Sequence, residues 1–157
     1  MTIARSRLAA ISALLLVATS VAPALGQDAD GAQLFADNCA ACHNDGGTGN
    51  PGLAPPLNRP AFWDALGDKA PDYLAGVLAS GLTGKITVDG EMYVGLIMPA
   101  QTALSEQEAA TVANWVLHEA GRDAPDEALP KVTPDLIAKT FAAPPAAHDL
   151  LAMRPKG

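Results

Sequence analysis

The sequence predicts an all-α fold carrying one small β-hairpin, with a leader ahead of it and a proline-rich extension behind. Three observations predict it. Ser105-Glu-Gln-Glu108 is a capping box, in which serine and glutamate each satisfy the other's backbone N–H, and it opens a helix running to about Ala120 that Gly121 ends. Pro71 and Gly81 frame another helix, with Tyr73, Leu74, Val77 and Leu78 spaced for one buried face. The stretch Lys85–Tyr93 alternates around Asp89-Gly90, a two-residue hairpin signal.

The chain of 157 residues is long enough for one core. Arg5 and Arg7 precede an apolar run from Leu8 to Val21 and a small-residue stretch ending at Gly26, so residues 1–26 read as a signal peptide. Cleavage after Gly26 leaves Gln27 at the new N-terminus; cleavage after Ala24, or an uncleaved anchor, are the alternatives, although the apolar run is shorter than the ~20 residues a span requires. Removing this leader turns 10 basic and 17 acidic residues into 8 and 17, a net charge of −9. Such acidity argues against nucleic acid and anionic membranes as partners, and suits a docking partner with a basic patch. The organisation expected is a leader (1–26), one domain (27–121) and an extension (122–157), exported to the periplasm with no stable membrane span after cleavage.

Cys39 and Cys42 are the only cysteines, in a chain that reads as exported; a disulfide framework normally has more, spaced more widely. Cys39-Ala-Ala-Cys42-His43 is the C-x-x-C-H pattern of covalent haem attachment. Residues three apart share a helix face, so both thiols reach one edge of a haem while the adjacent imidazole comes under the iron. A thioredoxin-like dithiol would need a βαβ context, and a structural zinc site a second ligand pair; neither is present in the sequence.

From about Asp30 to Ala120 the sequence resembles the class I cytochromes c, small helical electron carriers. Four stretches carry the resemblance: Gly31, Phe35 and Cys39 at intervals of four, Cys39–His43, Ala54-Pro55-Pro56-Leu57, and Ile97-Met98-Pro99. It implies a class I cytochrome c fold, in which Gly31 and Phe35 meet the C-terminal helix at a close crossing. One haem c is implied, attached through Cys39 and Cys42, with His43 as the proximal iron ligand. Pro55 lies twelve residues after the histidine, and the resemblance makes its carbonyl the acceptor for the imidazole Nδ1–H, which orients the ring and raises its basicity. Ala54 stands where the family usually has glycine. Met98 is implied as the sixth ligand, its soft sulfur favouring iron(II), with Met92 as the nearby competitor. The resemblance also makes Trp115 a core aromatic and the Lys85–Tyr93 hairpin an insertion beside the distal haem face.

Phe62, Trp63 and Leu66 suggest a short helix over residues 60–66 ended by Gly67, with Trp63 in the haem pocket wall or in ordinary packing. Asn44–Gly52 reads as a surface loop. In the extension, Thr133-Pro134 looks like a helix start with Leu136, Ile137 and Phe141 on one face, and Leu150, Leu151 and Met153 form a second apolar group. Two such groups need burial, against the chain's own domain or against a partner. His118 is expected on the solvent side of its helix and His148 in the extension, neither as a haem ligand.

With both axial positions filled, iron offers no open site to substrate, so the implied function is outer-sphere electron transfer without enzymatic turnover. The expected partners are redox proteins, a periplasmic dehydrogenase and a terminal acceptor among them, with the chain as shuttle or as the electron-accepting subunit. The rival readings are a five-coordinate haem enzyme or gas sensor, and a docking subunit fixed in a larger redox complex.

Overall fold

The computed structural model describes residues 30–95 and 97–155, so the proposed leader lies outside the described residues. Seven α-helices, α1 (Gly31–Asn38), α2 (Ala40–His43), α3 (Pro60–Leu66), α4 (Ala70–Ser80), α5 (Glu106–His118), α6 (Pro134–Ala142) and α7 (Ala147–Met153), dominate it. Four short strands, β1 (Leu82–Thr83), β2 (Ile86–Val88), β3 (Glu91–Tyr93) and β4 (Ile97–Met98), fill the connection between α4 and α5. No helix among the described residues is long and apolar enough to cross a membrane.

Local chemistry sets the ends of these elements. Asp30 caps α1 by accepting from the Ala32 N–H at 2.9 Å. The capping box opens α5 in both directions, and its Ser105 donors hold the Glu108 carboxyl below the usual carboxylate range. Thr133 accepts from the Leu136 N–H at 3.1 Å to start α6, with Pro134 in the first turn, where its missing N–H costs nothing. The α5 helix stops at His118, two residues short of the expected end.

β2 and β3 pair antiparallel, Ile86 with Tyr93 and Val88 with Glu91, across Asp89 and Gly90, whose φ values of 52° and 85° are those of a type I′ turn. A second pair, β1 with β4, aligns Leu82 with Met98 and was not signalled by any alternation. It forms because Gly81, at φ 70° and ψ −171°, turns the chain out of α4 with its Cα against the Met98 carbonyl, where a Cβ would not fit. β1 is thereby fixed beside the segment that carries Met98.

The core lies between α1, α4 and α5. Gly31 rests on α5, where a Cβ would come within 2.5 Å of the Trp115 Cβ, and the Phe35 ring sits 4.8 Å from the Trp115 indole. Trp115 is partly buried against this core.

Residues after Gly121 pack on the same core. Leu129, Val132, Ile137 and Leu150 are buried within it, and Leu150 lies over Gly76 of α4. Asn114 straps the segment to α5, its side chain donating to the Val132 carbonyl (2.9 Å) and accepting the Val132 N–H (2.8 Å). Arg122 joins Asp64 at 2.6 Å to Asp126 at 2.9 Å. This covering corrects the expectation for His118: the residue is 4% exposed, and its Nδ1–H donates to the Asp126 carbonyl. Without the returning chain that side of α5 would face water. Because Ile137 is fully buried, Ile137→Ala is expected to destabilise the whole domain by about 3 kcal/mol. Loss of α6 signals alone, with the midpoint of global thermal unfolding unmoved, would show that the tail is an independent appendage.

Candidate functional site

The Cys39–His43 segment sits at the break between α1 and α2. Cys39 closes α1 through its N–H to the Phe35 carbonyl (2.8 Å) and opens α2, which Asn44 ends in a positive-φ conformation. Cys39 is half-buried and Cys42 exposed, and the two are not joined in a disulfide. Burial, with the neighbouring Cys42 adding to it, pushes the Cys39 thiol up to about 11.

His43 is buried, and its Nδ1–H donates to the Pro55 carbonyl at 2.9 Å. Burial lowers the imidazole's pKa, and the Pro55 hydrogen bond opposes this. The neutral ring is therefore favoured, with Nδ1 engaged and Nε2 left to bind a metal. Ala54 in place of glycine leaves this arrangement intact: its backbone pairs with Asn50 and needs no positive φ. The loop after His43 is less superficial than expected. Gly47 and Gly49 are buried, the Gly49 N–H donating to the His43 carbonyl at 2.7 Å, so the loop clamps the histidine from behind.

A cavity of about 390 Å³ opens beside this segment. Cys39, Cys42, His43, Pro55 and Met98 all line it, so one space collects the two cysteines, the histidine, its proline partner and the methionine implied as sixth ligand. Met92 does not line it and is 54% exposed. Most of the wall is apolar, supplied by Leu74, Val77 and Leu78 of α4, Val112 and Val116 of α5, and the hairpin residue Ile86. Its volume falls within the roughly 300–1,000 Å³ of small-molecule sites. A flat, mostly apolar macrocycle held by two thiols, an imidazole and a thioether matches this donor set.

Trp63 also lines the cavity, but its indole N–H donates to the Leu57 carbonyl at 2.8 Å and so serves packing. Among the lining residues are two cations, Arg59 and Arg154, and no carboxylate. Arg59 pairs with Asp89 at 2.9 Å, and the Arg154 Nη1 donates to the Tyr73 hydroxyl at 2.7 Å. Neither arginine was singled out from the sequence. They stand 95 positions apart in segments without a shared motif, and only an arginine beside an apolar group at the chain's end hinted at a role.

Comparison with known proteins agrees with the geometry. The family model for cytochrome c matches residues 29–119. A cytochrome c-552 from Thermus thermophilus is 33% identical over 128 residues, covering 82% of this chain and 96% of the relative. A second cytochrome c-552 of that species is 34% identical over 128 residues, covering 82% and 85%. The cbb3-type cytochrome c oxidase subunit CcoP of Cereibacter sphaeroides is 50% identical over 42 residues, 27% of this chain and 14% of that protein. The chain belongs to the cytochrome c family, as a class I c-type cytochrome that carries covalently bound haem c.

Proposed function

We propose that the chain is an exported, periplasmic single-haem cytochrome that shuttles electrons one at a time between redox proteins and turns over no substrate. Cys39 and Cys42 would form the two thioether bonds, His43 and Met98 would ligate the iron, and the Pro55 carbonyl, already hydrogen-bonded to Nδ1, orients His43. The observation that carries this reading is the convergence of these residues on one cavity, with Nδ1 of His43 already engaged by Pro55. When bound, the haem supplies a one-electron iron(III)/iron(II) couple. The protein's part is to exclude water with the apolar walls of α4 and α5, to fix the imidazole, and to present a sulfur that favours iron(II).

Burial of the tail against α4 and α5 supports a free shuttle over a subunit fixed in a complex, because the apolar groups that would have docked on a partner are spent inside the domain. The partial likeness to an oxidase subunit supports redox proteins as partners, with an acidic carrier suited to a basic docking face. Carbon monoxide tests the ligand set. The dithionite-reduced native protein is expected to keep its spectrum when the gas is added; rapid conversion to a carbon monoxide adduct would instead favour a five-coordinate enzyme or sensor.

A further inference from the structure

Beyond the leader the chain has three arginines. Arg122 is spent on Asp64 and Asp126. The other two flank one ring: the guanidinium of Arg59 is centred 5.3 Å from the Phe62 ring, and that of Arg154 4.8 Å from it. Both line the cavity, in a chain whose overall charge is negative.

Arg154 is the more informative. It is partly buried, and among the described residues no carboxylate lies within 4.0 Å of it. Its hydrogen-bond partner, the Tyr73 phenol, is neutral at ordinary pH, since burial holds its pKa above the usual value while Arg154 pulls the other way. A partly buried guanidinium without a counter-ion is unfavourable. It also presents several N–H donors in a planar fork suited to a carboxylate, and Tyr73 takes only one. Arg59 has given one nitrogen to the exposed Asp89 and keeps the rest of its fork.

We propose that Arg154 and Arg59 bind the two propionate carboxylates of the haem, so that the C-terminal tail, through Arg154, closes the haem site and sets part of its reduction potential. This inference rests on the assignment of the cavity to haem made above. Tyr73 acts as a positioning residue, holding the Arg154 fork at the cavity wall. α7 delivers Arg154, and Leu150 seats α7 on Gly76, so the tail's packing is what places the charge.

A cation beside a propionate keeps it ionised and favours iron(II) over iron(III). In Arg154→Gln the potential is expected to fall at neutral pH. It should also become more pH-dependent, rising as acid protonates a propionate that the wild type keeps ionised. Spectroelectrochemical titration of the holoprotein from mildly acidic to mildly alkaline pH reads both effects. Arg154→Lys should recover part of the potential. Arg122→Gln, which breaks ion pairs away from the cavity, should lower thermal stability and leave the potential unmoved. Where Arg154→Gln fails to fold, Tyr73→Phe decides, with a smaller shift of the same sign. A folded, haem-loaded Arg154→Gln protein with the wild-type potential and pH profile overturns the inference alone; absence of covalent haem from the wild-type chain overturns the site assignment beneath it.

Discussion

Met98→Ala is expected to leave the haem attached, lower its reduction potential, open the sixth coordination position to carbon monoxide, and abolish the near-infrared sulfur-to-iron band of the oxidised protein. The expectation comes from where the four described elements of the α4–α5 connection put the two candidate sulfurs. Met98 stands in β4, paired with Leu82 next to Gly81, and faces the cavity half-buried. Met92 stands in β3 opposite Thr87, on the exposed side of the hairpin. Losing a soft thioether donor removes a preference for iron(II), which is why the potential moves down. An unchanged near-infrared band in the variant would assign the sixth ligand elsewhere, and Met92→Ala would be the next protein to make.

Gly31→Leu is expected to destabilise the folded domain by about 3 kcal/mol, at the upper end of the overpacking range. The site has no slack: a Cβ at Gly31 meets the Trp115 Cβ at 2.5 Å and the Thr111 carbonyl oxygen at 3.1 Å, and the latter is helix backbone that cannot rotate away. Relief requires α1 to lift from α5, which separates Phe35 from Trp115 and shifts Cys39, the residue joining α1 to the attachment segment. Thermal unfolding should therefore show a midpoint lower by on the order of 10 °C, together with a poorer yield of haem-loaded protein. A midpoint within a degree or two of the wild type would mean that the crossing is looser than its geometry indicates.

How much of this was legible beforehand depended on whether the signal was local. The capping box, the Asp89-Gly90 turn and the Pro134 helix start are chemistries of three or four adjacent residues, and they lie in the sequence as they lie in the fold. Cys39, Cys42 and His43 are equally local, whereas Pro55 and Met98 could be named only through the family resemblance. What was not legible depends on contacts between distant segments. The apolar spacing of Ile137 and Leu150 demanded burial without saying against what; α4 and α5 accept them because Gly76 and Asn114 leave space and hydrogen bonds for the returning chain. His118 looked solvent-facing because the tail that buries it arrives from beyond the helix. The β1–β4 pair is two residues long on each side, too short for any alternation to register.

On the proposed function, Cys39 and Cys42 hold the haem covalently. Mass spectrometry of the purified native chain, denatured and treated with a thiol-alkylating reagent, tests it most directly. The result expected is a mass increased by one haem, carried on the peptide containing Cys39–His43, with neither cysteine alkylated. Two alkylated cysteines and no haem on that peptide would contradict it.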